Sequence, residues 1–452
     1  MHALVLAMGL WSVSPCRYGG LAARCGVMTV AENRNVAHGR TIDVHFVVLP
    51  ARKKPVREPI FFIAGGPGQA IIALIEPGAK QFARPYLDRD IVLEDQRGTG
   101  TSHPLACNIA PTEAVVDRWL FAPDVVRACR TRLAREADLN AYGTDVAADD
   151  VNLTRRRLGY GKIVLWGGSY GTDLALVYLR RHPDSVAAAI LEGVAPPWLL
   201  LPLPFPRGAQ AALEDLERSC AADQACSRDF PRFPQEFGAL IARAKSGIPV
   251  SGGRIAFEVL VDRLRQAMYD SYTASYVPLI VHRWSGGDSA PLAKLVSTLS
   301  HTIPGLLAMG MNLSVTCSES LAFITPADAV RASAGTFMGD ARYRAQRAAC
   351  KIWNVAPVAR SFLAPIRSGV PVLMLGGSAD PATPPRFGAQ EVAYLPRGRQ
   401  VLVPHAGHDF GSPCVDRIEA SFLVAYHAKT LDTRCLVSAH RPPFATTLKG
   451  LF

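Results

Sequence analysis

Residues 162–181 read KIVLWGGSYGTDLALVYLRR, and no other stretch of the chain says as much about its fold. The stretch joins an apolar run typical of a buried strand to a helix-forming run through Gly167, Gly168, Ser169, Tyr170 and Gly171. Glycines two residues before and two residues after the serine relieve the crowding of a sharp strand-to-helix turn, which lifts the hydroxyl above the sheet. The pattern therefore predicts that Ser169 is a nucleophile.

Short runs rich in Val, Ile and Leu recur on both sides of this stretch, with helical patterns between several of them. The runs lie at 41–49, 60–64, 90–93, 162–166, 187–191, 371–375 and 400–403. Such runs suit strands that are buried on both faces of a sheet. Strands that alternate with helices predict a mostly parallel central sheet with helices on both faces.

The alternation stops near Pro196 and resumes near Pro365, and the interval between them carries helical patterns without clear strand alternation. We expect residues 15–196 and 365–452 to form the first and second parts of one core. Residues 197–364 are then a helical cap inserted between two strands of that core.

Ten cysteines indicate the compartment. They include no C-x-x-C pair and no Cys/His cluster at zinc spacing, so we expect no metal site. The simplest of about 900 pairings is the sequential one. It joins Cys16 to Cys25, Cys107 to Cys129, Cys220 to Cys226, Cys317 to Cys350, and Cys414 to Cys435. Five disulfides favour a secreted or periplasmic protein, and the alternative is ten reduced thiols in the cytosol.

The first residues bear on the same question. Residues 1–14 contain a short apolar run followed by small residues but lack a basic start, so they are either the remnant of a secretory signal or a buried first segment. The most apolar later stretch, 187–206, is interrupted by Glu192 and several prolines, so we expect no stable insertion in a membrane.

The charge of the chain is +11, from 49 Lys and Arg against 38 Asp and Glu. The basic residues are scattered or lie in short runs such as 155–157, without an interleaved aromatic pattern. This distribution is typical of a solvated basic surface, and we expect no nucleic-acid partner.

A nucleophilic serine needs a base and an acid that orients the base, which follow in the order Ser, Asp, His in an α/β-hydrolase. Asp380 follows the run 371–375 in a loop whose Gly, Ser and Pro residues suit a turn that presents one side chain. His405 and His408 both follow the last predicted strand. We assign His408 as the base because it lies deeper in the loop and Gly407 lets the backbone bend toward the serine; His405 is the alternative.

Acyl transfer also needs two donors for the oxyanion. The backbone N–H of Tyr170, next to the nucleophile, is the first candidate. PIFFIAGGPGQ at 59–69 places a Gly-rich turn directly after an earlier strand, and Gly66 in this turn is the second candidate. This mechanism needs neither a metal nor an organic cofactor.

Several motifs in order resemble one known family. They are AGGPGQ at 64–69, DQRGTGTS at 95–102, GGSYGT at 167–172, ADPATPP at 379–385 and GH at 407–408, with CGVMTVAENR at 25–34. The chain resembles the prolyl and tripeptidyl aminopeptidase-like serine peptidases of the α/β-hydrolase fold, including their TAP-like C-terminal region. The resemblance implies an α/β-hydrolase core with a helical cap, and structural roles for Asp95 and Arg97. The chain departs from many members at Ala64, where they have His, and at Asp409, where they have Gly.

An aminopeptidase must bind a free α-ammonium group, which calls for a carboxylate at the site. SVTCSES at 314–320 resembles a family segment with a carboxylate just after a cysteine, so Glu319 is the candidate anchor. Glu192 is a weaker candidate, and Glu319 as an ordinary solvated glutamate is the alternative.

These observations predict a serine hydrolase that cleaves short peptides near their N-terminus. The first rival is a carboxylesterase that acts on small esters with the same triad. The second rival is a hydrolase-fold binding protein without catalysis, which the complete triad disfavours. The oligomeric state is not predicted.

Overall fold

A computed structural model of the chain describes residues 11–107, 121–251 and 253–450. Eleven strands lie within these residues. They are β1 (Trp11–Tyr18), β2 (Leu21–Ala31), β3 (Thr41–Leu49), β4 (Ile60–Ile63), β5 (Ile91–Glu94), β6 (Ile163–Gly168), β7 (Val186–Glu192), β8 (Ile248–Val250), β9 (Gly253–Ile255), β10 (Val372–Gly377) and β11 (Gly398–Val403).

Nine of these strands form one sheet in the described residues, in the order β1-β2-β3-β5-β4-β6-β7-β10-β11. The strands from β5 to β11 in that order run parallel to one another. The first three are antiparallel to their neighbours. All seven strands predicted from apolar runs are present, so the prediction of a mostly parallel sheet is confirmed.

Seventeen α-helices are described in the same residues. They are α1 (Ile71–Ile75), α2 (Ala79–Phe82), α3 (Pro123–Glu136), α4 (Thr144–Arg157), α5 (Tyr170–Arg181), α6 (Pro204–Ala222), α7 (Gln224–Asp229), α8 (Phe233–Ala244), α9 (Phe257–Ala267), α10 (Ser271–Ser275), α11 (Val277–Ser285), α12 (Ala290–Leu306), α13 (Met309–Glu319), α14 (Pro326–Ser333), α15 (Ala341–Trp353), α16 (Arg386–Val392) and α17 (Pro413–Ala425).

Helices cover both faces of the sheet, as predicted. Successive side chains of a strand point to opposite faces, and β6 shows the consequence. Ile163 and Leu165 pack with α4 and α5 on one face, whereas Val164 packs with α1, α2 and α17 on the other. Both faces are therefore buried, which explains why these strands appear in the sequence as continuous apolar runs.

Strands β1 and β2 were not among the predicted strands. They form a hairpin whose two-residue turn is Gly19 and Gly20, with φ of 52° and 79°. Positive φ at both positions is the geometry that two-residue hairpin turns require, and a Gly-Gly pair between two runs is a signal for it. The predicted signal remnant covers residues 1–14. Residues 1–10 lie outside the described residues, and residues 11–14 are part of β1.

The interval between β7 and β10, predicted as a helical cap, contains α6 to α15 and the small antiparallel pair of β8 and β9. Its two parts pack differently. Helices α6 to α12 contribute to a hydrophobic cluster of their own, which includes Leu216, Leu240 and Leu260. Helices α13 and α15 share another cluster with α3 and with Met28 and Val44 of the sheet. The second part of the interval is thus packed against the core.

All ten cysteines lie in the described residues and are paired. The bonds are Cys16–Cys25, Cys107–Cys129, Cys220–Cys226, Cys317–Cys350 and Cys414–Cys435. The predicted sequential pairing is therefore confirmed. None of the helices in the described ranges combines the length and the apolar character needed to cross a membrane.

Candidate active site

Ser169 lies in a sharp turn between β6 and α5, with φ of 55° and ψ of −123°. Neighbouring glycines make this turn possible. A Cβ on Gly167 would lie 2.4 Å from the carbonyl oxygen of Gly171, and a Cβ on Gly171 would lie 2.2 Å from that of Ile63. A positive φ at a non-glycine residue is strained, and such strain concentrates at functional sites. The spacing of the two glycines thus has the steric reason expected from the sequence.

Asp380 and His408, the predicted acid and base, are in direct contact. Nδ1 of His408 lies 2.8 Å from Oδ2 of Asp380. The carboxylate also accepts hydrogen bonds from the backbone N–H groups of Ala382 and Thr383 at 2.7 and 2.9 Å and from Oγ1 of Thr383 at 2.7 Å. Burial alone would raise the pKa of Asp380, but His408 and these donors lower it below its ordinary value. The carboxylate is therefore held ionised and in a fixed orientation toward the imidazole.

The pKa of His408 shifts in the opposite direction. Burial alone would lower it, but the charge of Asp380 and the hydrogen bond to it raise it above the ordinary value of 6.5. Asp409 also raises this pKa, and Arg265 opposes the rise. A buried imidazole beside an ionised carboxylate is well suited to accept a proton.

The turn of Ser169 and the ring of His408 approach the same end of β7. The backbone N–H of Ser169 donates to the carbonyl of Glu192 at 2.7 Å. The next residue, Gly193, has φ of 60°, and a Cβ there would lie 2.9 Å from Cε1 of His408. Gly193 thus makes room for the imidazole of His408, and the residue before it, Glu192, binds the backbone of Ser169.

The alternative base, His405, is engaged elsewhere. Nearly half of its side chain is exposed, and its Nδ1 lies 3.6 Å from Oδ2 of Asp215 in α6. Asp215 also pairs with Arg441 at 2.5 Å. Asp215 of the cap thus contacts both His405 of the core and Arg441 of the C-terminal segment.

Residues 65–69, which we call the oxyanion loop, follow β4 and lie against the serine. A Cβ on Gly65 would lie 3.0 Å from Cβ of Ser169. Gly66 and Gly68 have φ of 112° and 111°, which other residues rarely adopt. Of the two predicted oxyanion donors, Tyr170 directly follows Ser169, and Gly66 follows Gly65, which approaches the serine.

The DQRGTGTS segment contains two buried charged side chains, Asp95 and Arg97, for which the resemblance implies structural roles. Arg97 is fully buried and pairs with Asp150 at 2.5 Å. Asp95 accepts hydrogen bonds from the backbone N–H groups of Ile72 and Thr101 at 3.1 and 3.2 Å. Arg97 therefore joins the segment to α4, and Asp95 joins it to the start of α1.

Glu319, the predicted ammonium anchor, is the last residue of α13, and its side chain is buried against the start of α4. Its two carboxylate oxygens accept hydrogen bonds from N–H and Oγ1 of Thr144, each at 2.7 Å. Oγ1 of Thr144 also lies 2.8 Å from the hydroxyl of Tyr170. Burial raises the pKa of Glu319 to about 7, against the lowering effect of Thr144. Glu319 is thus connected through Thr144 to the residue after the nucleophile, and it is not a solvated glutamate.

Glu192, the weaker candidate, is a partly buried carboxyl group beside the buried carboxyl group of Glu419. Burial raises its pKa well above the ordinary value, and the neighbouring charge of Glu419 raises it further. Glu419 accepts hydrogen bonds from Trp166 at 3.1 Å and from Tyr86 at 3.3 Å. This pair therefore lies beneath the end of β7, on the side of α17.

Tyr269, two residues after the end of α9, is a site residue that was not predicted from the sequence. Its ring centroid lies 5.0 Å from that of His408, and its carbonyl accepts a hydrogen bond from the N–H of Asp409 at 2.8 Å. The signal was Gly407, where a Cβ would lie 2.3 Å from the carbonyl oxygen of Tyr269. Gly407 therefore permits close approach of the cap to the loop that carries His408.

Family models match two regions of the chain. Residues 58–223 match the model described as alpha/beta hydrolase fold, and residues 335–435 match the model described as TAP-like protein. Together these regions include Ser169, Asp380 and His408 and more than half of the chain.

Curated relatives include hydrolases from bacteria and plants. The chain is 31% identical over 152 residues to a proline iminopeptidase of Neisseria gonorrhoeae, a match that covers 34% of this chain and 37% of that protein. It is 23% identical over 471 residues to the serine protease Hip1 of Mycobacterium tuberculosis, covering 91% of this chain and 87% of that protein. The match to the proline iminopeptidase thus spans just over a third of that protein's length.

Solved structures of the same fold are more distant. An esterase from Exiguobacterium antarcticum is 16% identical, with a TM-score of 0.40 over 86% of this chain and 96% of that one. An alpha/beta hydrolase enzyme from a Medee basin deep-sea metagenome library is 12% identical, with a TM-score of 0.41 over 86% of this chain and 96% of that one.

Proposed function

The chain belongs to the TAP-like α/β-hydrolases, and from this membership we propose that it is a serine hydrolase that cleaves peptide bonds near the N-terminus of short peptides. The observation that carries the proposal is the hydrogen bond of 2.8 Å between Asp380 and His408 beside the strained turn of Ser169. The names of the two relatives, a proline iminopeptidase and a serine protease, support the same reaction class.

In the proposed mechanism His408 removes the proton of the Ser169 hydroxyl as the oxygen attacks the scissile carbonyl carbon. Asp380 stabilises the imidazolium that forms. The N–H groups of Gly66 and Tyr170 donate to the oxyanion of the tetrahedral intermediate. His408 then protonates the leaving amine, the acyl group stays on Ser169, and water attacks the ester in a second round of the same steps.

Recognition of a free amine is the part of the proposal that separates a peptidase from an esterase. We expect aminoacyl or tripeptidyl amides to be hydrolysed with kcat/KM about a hundredfold higher than their N-acylated versions, since a buried carboxylate would lose its cationic partner. Simple esters serve as the third substrate class. Equal rates with free and blocked amines would rule out the aminopeptidase and favour the carboxylesterase.

Glu319→Gln examines the proposed anchor in the same assay. If Glu319 binds the ammonium group, KM rises for free amines and stays the same for blocked ones. If its carboxylate serves only Thr144 and the start of α4, both substrates are affected equally and the melting temperature falls. The difference between the two substrates, not the loss of activity, is therefore the result to measure.

The pH profile depends on the raised pKa of His408. A general base must be neutral, so kcat/KM should fall as the pH decreases through the pKa of His408, with a midpoint above the ordinary 6.5. In Asp380→Asn the charge that raises this pKa is absent, and we expect the midpoint of the residual activity to move to lower pH. A wild-type midpoint at or below 6.5 would contradict the assigned pair.

The five disulfides support a further part of the proposal, a secreted or periplasmic location. Disulfides persist in oxidising compartments and are rare in the cytosol. Thiol titration of denatured protein from its native compartment should detect almost no free thiol.

A further inference from the structure

We propose that Asn312, in cap helix α13, is a positioning residue that holds the oxyanion loop in the shape that catalysis requires. The inference rests on the proposed serine-hydrolase function, because it concerns the loop that contains Gly66. It concerns a residue outside the triad and outside both matched regions.

Asn312 reaches the loop through one buried hydrogen bond. Its Nδ2 donates to the carbonyl of Pro67 at 3.0 Å, across 245 residues of sequence. Only 7% of Asn312 is exposed. Water therefore cannot readily replace the amide as the donor to this carbonyl, and loss of the bond would leave a buried oxygen unsatisfied.

The residues just before Asn312 contact the next part of the loop. The N–H of Ala308 donates to the carbonyl of Gly68 at 2.9 Å, and Leu307 forms a bridge with Gln69. A Cβ on Gly68 would lie 2.8 Å from the carbonyl oxygen of Ala308. Residues 307–312 thus hold two successive carbonyls of the loop, one through main chain and one through the Asn312 side chain.

These contacts bear on the oxyanion donor through the geometry of the peptide group. Within the loop, the N–H of Gln69 donates to the carbonyl of Gly65 at 3.3 Å. The N–H of Gly66 belongs to the same planar trans peptide as the Gly65 carbonyl, so the two point in opposite directions. The closure of the loop at Gln69 therefore sets the direction of the Gly66 N–H, and Leu307 contacts the residue that closes it.

The composition of the loop explains why it needs an external contact. Gly66 and Gly68 both have positive φ, and glycine has many accessible conformations. An oxyanion hole stabilises the transition state only if its donors are oriented before charge develops. A loop that is permissive by sequence is made rigid by contacts from the cap, and Asn312 is the side chain that supplies one.

The test uses one variant that removes the donor at constant size and one that truncates the side chain. Asn312→Asp places an oxygen against the Pro67 carbonyl, and Asn312→Ala removes the contact. For both we expect kcat to fall about ten- to a hundredfold with little change in KM, because the loss affects the transition state more than substrate binding. Affinity for a peptidyl trifluoromethyl ketone, whose hemiketal oxygen mimics the oxyanion, should fall in parallel. Rates are normalised to active sites titrated with a fluorophosphonate.

Ser314→Ala is the matched control. Ser314 is also buried in α13, but its hydroxyl accepts from Nε1 of Trp353 at 3.0 Å and not from the loop. We expect it to change the melting temperature while kcat per active site stays the same. If Asn312→Asp and Asn312→Ala fold poorly, Asn312→Ser is compared with Ser314→Ala in the same way. It is a smaller perturbation, because the serine hydroxyl is still a hydrogen-bond donor.

Two results would overturn the inference. The first is an unchanged kcat and inhibitor affinity in the Asn312 variants that fold. The second is an equal loss of kcat in Ser314→Ala, which would mean that the packing of α13 matters and the bond to Pro67 does not. Failure of the proposed function gives a different result. The wild-type protein would then show neither hydrolysis nor fluorophosphonate labelling that is lost in Ser169→Ala.

Discussion

Ser169→Ala should reduce kcat/KM on aminoacyl amides and on esters by a factor on the order of 10⁴ to 10⁶. The variant lacks the hydroxyl of the proposed nucleophile, so no acyl-enzyme can form at residue 169. Activity that remains would come from substrate binding and the oxyanion donors alone. Labelling by an active-site fluorophosphonate should disappear together with the activity, and both are measured on the same preparation.

The fold should survive this substitution. Alanine adopts the φ of 55° at residue 169 no more readily than serine does, so we expect the melting temperature to change little. Ser169→Gly is a second inactive variant, and it should be more stable than Ser169→Ala because glycine tolerates a positive φ. Residual hydrolysis near the wild-type level in either variant would show that another residue is the nucleophile.

His408→Ala should reduce kcat/KM by about 10⁴-fold or more, since the hydroxyl of Ser169 loses its base. Asp380 keeps its hydrogen bonds from Ala382 and Thr383, so part of the local structure remains. We expect added imidazole to restore a fraction of the activity, because it can occupy the space of the missing side chain. The rate is measured against imidazole concentration at fixed pH.

His405→Ala is the control for this experiment. The ring of His405 lies beside Asp215 and is about half exposed, so its loss should alter activity by less than about tenfold. A large loss in His405→Ala with near-normal activity in His408→Ala would reverse the assignment of the base. Equal losses in both would point to a structural role for the loop after β11.

Local rules account for the parts of the site that were predictable. Gly167 is required by a steric conflict with Gly171, only four residues away, and the sequence shows both glycines directly. Gly171 is required because β4 packs against it at Ile63. Asp380 and His408 follow the next strands of a parallel sheet, whose carboxyl ends lie at one edge. That His408 contacts Asp380 while His405 contacts α6 depends on the path of the loop after β11, where two histidines stand only three residues apart.

The missed elements have a different cause. The β1–β2 hairpin begins in a segment whose apolar run and small residues also fit a secretory signal, so the pattern alone permitted two interpretations. The packing of α13 and α15 on the sheet has no local signal at all. None of the five disulfides joins the cap to the core, but the carbonyl of Tyr269 accepts a hydrogen bond from Asp409 and the N–H of Ala308 donates one to Gly68, and these bonds connect the cap to two loops of the core.

From its residues alone, the chain can be identified as an α/β-hydrolase with a nucleophile turn and a predicted triad in the order Ser, Asp, His, because strand periodicity and the glycines of the turn are visible in the sequence. The sequential disulfides were the simplest of many pairings, and the tertiary structure was needed to establish them. The tertiary structure was needed to place Glu319 at Thr144, 175 residues away, and Asn312 at Pro67, 245 residues away. Such contacts satisfy buried donors and acceptors that come together only when the cap packs on the core, so no local pattern in the sequence marks them.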